Sequence, residues 1–182
     1  MELAGPALGL LELESIARGL KVADALVKRA QVKLALAEPV SPGKFLLVFS
    51  GEVAEVQESY EAAVAEAGTL VLDRLILTQV HGAVRQALAG RGVKRGAAEA
   101  LGVVELHSVA ATVLAADVAA KRAGVKLNHV HLARGIGGKG YFTLSGELAD
   151  VESAVEGAAA AVAPELLVNT EVIARPHPDL LP

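Results

Sequence analysis

The chain has 182 residues, 53% hydrophobic but only 3% aromatic, with no Trp or Cys and a formal net charge of −4. Dispersed Lys and Arg with few rings to stack bases exclude nucleic-acid binding, and the lack of thiols excludes disulfides, thiolate metal sites and a Cys nucleophile, in keeping with a reducing cytosol. The first fifteen residues carry Glu2, Glu12 and Glu14 and no basic region, unlike a signal peptide, and the apolar stretch Val109–Ala120 is too short to span a bilayer.

In chain order, Leu8–Leu13 is an apolar run of strand length, and Ser15 reads as the N-cap of a helix that ends near Lys28 and Arg29. Ile16, Leu20, Ala23, Val27 and Ala30 keep a spacing of three or four and are expected to form its buried stripe. Val32–Ala37 is a second strand. A loop is expected over 38–43, because Pro39 and Pro42 lack a backbone donor and Gly43 accepts positive φ. Lys44–Phe49 is a third strand. Ser50, Gly51 and Glu52 open a second helix, whose expected buried stripe is Val53, Val56, Tyr60, Val64 and Ala67. Gly68 stops that helix, and Leu70–Thr78 is a fourth strand.

The order then repeats. Ala7–Ser15 reads against Ala100–Ser108, 93 residues further on, with identities continuing through Asp24/Asp117, Lys28/Lys121, Arg29/Arg122 and Leu34/Leu127. After the loop the offset becomes 95: Gly43-Lys44 matches Gly138-Lys139, and Ser50-Gly51-Glu52 matches Ser145-Gly146-Glu147. A period this long makes each copy a small domain rather than a solenoid repeat. The order β-α-β-β-α-β is the ferredoxin-like arrangement, so the expected fold is α+β: two tandem βαββαβ domains at 1–89 and 97–182, joined by a basic, Gly-rich linker at 90–96. A module of this size buries only about 60–65% of its surface on folding. The abundant aliphatic side chains are therefore expected to find cover between subunits.

Gly135-Ile136-Gly137-Gly138-Lys139-Gly140 matches G-x-G-x-x-G literally, but a strand (Tyr141–Leu144) follows where a dinucleotide site needs a helix. It also fails as a Walker loop, with Ala133 and Gly140 at the diagnostic ends. What remains is a strand–turn–strand loop of little side-chain bulk. His129 and His131 share one face of a strand, but two imidazoles without a nearby acid read as sheet-surface histidines rather than a metal site. The recurring Lys28-Arg29 and Lys121-Arg122 pairs suit a helix C-terminus and equally suit a shared edge contact. No Ser-His-Asp arrangement or other catalytic constellation is present in the sequence, so no enzyme is expected.

Taken together, the Leu-Glu strand end, the Asp-x-x-x-Lys helix end, the Val-Lys-Leu strand, the Gly-Ile-Gly-Gly loop and the run Val172–His177 resemble the bacterial microcompartment shell domain. Two copies in one chain resemble the tandem-domain, trimer-forming shell proteins, most of all those of propanediol-utilisation compartments. The resemblance implies a homotrimer whose six domains imitate a hexamer, forming a flat tile beside hexameric tiles and pentameric vertices in a shell within the cytoplasm. It further implies a central pore for small polar or anionic metabolites, lined by Val40, Ser41, Pro42, Gly43, Gly135, Ile136, Gly137 and Gly138, with Lys44 and Lys139 attracting anions. Lys28, Arg29, Lys121, Arg122 and Arg175 would lie at tile edges, and Gln79, the counterpart of Arg175, makes those edges unequal. In the propanediol proteins the position of Ser41 resembles a cysteine, and three thiolates could hold an iron–sulfur cluster. A hydroxyl is a poor substitute for soft thiolate, so no cofactor is expected here. The competing expectation is an oligomeric ferredoxin-like regulator that binds a small molecule between subunits.

Overall fold

The structure, a computed structural model, describes residues 1–93 and 99–180, so residues 94–96 of the expected linker and the start of the second domain at 97 lie outside the described residues. By packing, the chain divides into two units: Met1–Val80 with Ala133–Gly138, and His81–Leu132 with Lys139–Pro182.

In the first unit the elements are β1 (Ala7–Leu13), α1 (Ile16–Arg29), β2 (Lys33–Val40), β3 (Lys44–Gly51), α2 (Val53–Ala67) and β4 (Val71–Leu77). Its sheet runs β2-β3-β1-β4, with every neighbouring pair antiparallel. The second unit has α3 (Gly82–Leu88), β5 (Ala100–Leu106), α4 (Val109–Arg122), β6 (Lys126–Leu132), β7 (Gly140–Gly146), α5 (Leu148–Ala160) and β8 (Leu167–Ala174). Its sheet repeats the order as β6-β7-β5-β8. Both units are thus the ferredoxin-like βαββαβ sandwich, with α3 added to the second. Among the described residues, no helix is long and apolar enough to cross a membrane.

Local chemistry explains the element ends. Ser15 caps α1 by accepting from the Arg18 N–H at 3.2 Å, and Ser108 caps α4 by accepting from the Ala111 N–H at 3.0 Å. Gly68 ends α2 at φ 58° and returns its N–H to the Val64 carbonyl. The first core joins Leu11 and Leu13 of β1 and Phe45, Leu47 and Phe49 of β3 to Val22 and Leu26 of α1 and Val56 and Ala63 of α2. Leu8, Leu10, Leu46 and Val48, on the other face of β1 and β3, are buried too. That is why β1 reads as a continuous apolar run and not an alternating one.

Three expectations change. The buried stripe of α1 is Gly19, Val22, Ala23 and Leu26, whereas Ile16, Leu20 and Val27 are 42%, 60% and 42% exposed. The reason is Gly19: a Cβ there would lie 2.2 Å from the Phe45 ring, so only the glycine face lets the helix settle on that aromatic. In α2 the fully buried stripe is Val56, Ser59, Ala63 and Ala67, while Val53 is exposed and Tyr60 and Val64 are partly covered. Ser59 can take a core position because its hydroxyl donates to the Leu26 carbonyl at 3.0 Å. Finally, β2 runs through Pro39, which pairs with Phe45, and the expected loop over 38–43 shrinks to Ser41–Gly43. As an edge strand, β2 tolerates a residue without a donor.

Candidate pore loops

The β2–β3 turn is three residues long. Gly43 adopts φ 108° and its N–H returns to the Val40 carbonyl at 2.9 Å, closing a tight reversal that a residue with a Cβ would strain. Val40 is buried at 6% exposure, so its side chain supports the turn, while Ser41 is half-buried and Pro42 and Gly43 are exposed.

The β6–β7 connection is longer and is built from left-handed residues: Ala133, Gly135, Gly137 and Gly138 take φ of 58°, 73°, 68° and 83°. Gly135 and Gly137 are exposed, Ile136 is half-buried and Gly138 is buried. Ala133–Gly138 packs within the first unit. There a Cβ on Gly138 would lie 2.8 Å from the Ser41 carbonyl oxygen and 2.9 Å from Pro42 Cδ, so this glycine is required by close backbone approach as well as by φ. The turns of the two copies therefore adjoin. The Arg134 guanidinium completes the cluster by donating to Glu38 at 2.7 Å.

The cations flanking these turns are paired. Lys44 Nζ lies 3.3 Å from a carboxylate oxygen of Glu12, which is fully buried in β1, and Lys139 pairs with Glu105 of β5, whose side chain is 34% exposed. Each expected anion-attracting lysine is thus locally neutralised. The sequence held a signal for this: Glu12 and Glu105 are identical acids in two otherwise apolar central strands, where a charge persists only with a partner.

The expected edge residues sit where the helices end. Lys28 pairs with Asp24 at 2.6 Å and Arg29 with Glu58 at 3.4 Å. Lys121 pairs with Asp117, while Arg122 reaches Glu156 at 3.5 Å and the Ser153 hydroxyl at 3.2 Å. Arg175 is exposed at φ 48°, its N–H on the Glu99 carbonyl. The identical Asp-x-x-x-Lys motifs differ in one respect: Asp24 is 59% exposed and Asp117 only 3%, and Asp117 also accepts from the His81 N–H at 2.7 Å. The His131 ring stacks on Tyr141 with centroids 5.3 Å apart, and the His129 ring is tilted against both at 5.7–5.8 Å; the described residues hold no metal-ligating group of three or more.

Two four-stranded antiparallel sheets with the same strand order, each joining its middle hairpin through a glycine-bearing turn, define a tandem α+β protein of duplicated domains. The BMC domain family matches residues 7–80 and 100–176, and the chain belongs to that family. It is similar to the bacterial microcompartment shell protein PduT of Citrobacter freundii, with 42% identity over 94% of this chain and 93% of the relative. It also resembles the shell protein EutK of Escherichia coli (strain K12), at 38% identity over 34% of this chain and 37% of that protein. Among solved structures, a microcompartment protein from Desulfitobacterium hafniense DCB superposes with a TM-score of 0.86 and 42% identity, covering 96% of this chain and 97% of the other. The fused permuted hexameric shell protein of the RMM microcompartment gives 0.63 and 25%, covering 87% and 81%. The chain is therefore a tandem-domain shell protein of a bacterial microcompartment, a body within the cytoplasm, and its relatives are shell proteins rather than enzymes.

An iron–sulfur cluster at the turns does not fit these residues. Ser41 supplies a hard hydroxyl, and no cysteine exists to supply thiolate.

Proposed function

We propose that three copies of this chain close into a flat pseudohexameric tile, structural rather than catalytic, with a narrow axial opening for small polar metabolites. The observation that carries the reading is the meeting of the two turns, Ser41–Gly43 and Ala133–Gly138, with Gly138 against the Ser41 backbone. Repeated three times, that pair supplies a ring of small side chains, Ser41 hydroxyls and exposed glycine backbone able to replace part of a solute's hydration. Because Lys44, Lys139 and Arg134 are paired with Glu12, Glu105 and Glu38, the opening selects by size and polarity more than by charge. Lys28, Arg29, Lys121, Arg122 and Arg175 would serve as edge contacts to hexameric tiles and, through them, to shells closed by pentameric vertices.

Native mass spectrometry should give a mass three times that of the chain, and electron microscopy should find flat sheets with hexameric shell proteins. A discrete oligomer of another order that shifts its melting temperature with a metabolite would overturn the reading. In assembled shells, Ser41→Asp should slow the turnover of an encapsulated enzyme on an anionic substrate about two- to tenfold, since three added charges would face one axis. Unchanged turnover would remove these turns from the permeation path.

A further inference from the structure

The duplication extends past the last strand of each copy. After β4, Val80-His81 leads into α3, and the His81 Nδ1 accepts from the Ala83 N–H at 3.2 Å. After β8, Pro176-His177 leads into a turn of 3-10 helix over Pro178–Leu180, and the His177 Nδ1 accepts from the Asp179 N–H at 3.3 Å. The same histidine cap opens both segments.

The first segment has a docking place within the second unit. There α3 packs against α4 and β6, and the His81 backbone N–H donates to Asp117. Along this helix Val109, Val113, Asp117 and Ala120 are all buried, at 0%, 0%, 2% and 7% exposure. Their counterparts on α1 are Ile16, Leu20, Asp24 and Val27, and all four are open. In the second segment Pro176 is buried while His177–Leu180 is exposed, Leu180 at 51%. The two histidine-capped segments thus differ in exposure, and so do the two equivalent helix faces.

We propose that the His177–Leu180 segment of one chain docks on α1 of a second copy, with the His177 backbone N–H donating to Asp24 and Leu180 covering Leu20 and its apolar neighbours. This rests on the proposed closed trimer and names the contact that closes it. The contact is head-to-tail, joining different surfaces, so it forms a ring only when its rotation closes. The α3–α4 contact within one chain supplies the geometry it would copy.

The absence of cysteine makes the test clean. Leu20→Cys/Leu180→Cys double-variant protein, treated with a short bis-maleimide, should run as covalent dimers and trimers on a denaturing gel, and neither single variant should do so. A noncovalent trimer by native mass spectrometry with no cross-linked ladder would overturn the docking and leave the tile standing. A chain with no trimer at all would remove both. A link confined to single chains would also overturn the proposal, because it places the segment on its own α1. Independently, Asp24→Lys should raise the trimer dissociation constant at least about tenfold while the far-ultraviolet circular dichroism stays native; an unchanged constant would count against the hydrogen bond to Asp24.

Discussion

Helices α1 and α4 descend from one sequence and now do different work. Both begin at a capping serine and end in Asp-x-x-x-Lys-Arg. In α4 nearly every residue from Val109 to Ala120 is buried, and its Asp117 holds two partners. In α1 only four residues are fully buried, and Asp24 holds Lys28 in solvent. A charged pair is thus not a property of a motif. The same two residues are exposed to solvent in one copy and form a buried clamp in the other, where the His81 N–H ahead of α3 gives Asp117 a second partner.

The largest effect should come from breaking the clamp. Asp117→Ala removes a buried acceptor, strands the His81 N–H and frees Lys121, at a cost of about 3 kcal/mol. Chemical denaturation should show this loss at every chain concentration. Asp24→Ala should cost the fold itself less than about 0.5 kcal/mol, the usual worth of an exposed i,i+4 pair, and should act instead on the concentration dependence of melting. Equal, concentration-independent losses would dissolve the distinction between the two helices.

Next in size is the crossing of helix and third strand. Copy one places Gly19 against Phe45; copy two places Thr112 against Gly140, with a Cβ on Gly140 falling 2.2 Å from the Thr112 hydroxyl. The copies have exchanged large and small across the same contact, as close packing demands when one partner grows. Gly140→Ala alone should therefore destabilise by about 1–3 kcal/mol through overpacking. Adding Thr112→Gly, which restores the arrangement of copy one at this contact, should recover part of that loss even though glycine weakens the helix by about 1 kcal/mol. No recovery would mean that the two sites do not share the strain.

The smallest difference is one of pH. Glu66 accepts from Lys21 at 2.8 Å and from Arg18 at 2.9 Å, which holds its carboxyl below the ordinary value, the Lys21 hydrogen bond contributing most. A carboxyl with a lowered folded-state pKa contributes stability above its unfolded value, and that contribution is lost as pH falls through the folded value. The counterparts in copy two are Ala111, Leu114 and Ala161, so this acid sensitivity belongs to copy one alone. Glu66→Gln should flatten the fall of the melting temperature below the ordinary carboxyl value of 4.5 and leave it unchanged near neutrality, and a profile identical to that of the parent chain would assign the acid response elsewhere.

Much of the architecture was legible in the residues. Strand-length apolar runs, capping serines and the internal repeat gave the element order, and the repeat offsets located both turns. The stripes of α1 and α2 were misread because bulk was taken as the sign of burial. In α1 two stripes with the same period compete, and the one containing glycine wins because a neighbouring phenylalanine needs the space. Such a choice depends on a residue far away in sequence. The pairing of Lys44 with Glu12 and of Lys139 with Glu105 was legible only in part: an acid in an apolar strand announces that a partner exists without saying which one.

By itself, then, the sequence determined two ferredoxin-like domains, their family, and the glycine-bearing turns, because periodicity, caps and positive-φ residues are local and leave direct marks. The tertiary structure alone decided which face of each helix is covered, which cations near the turns are neutralised, and which of two identical aspartates is buried. Those outcomes turn on contacts between segments distant in the chain, and a motif carries no record of what will be packed against it.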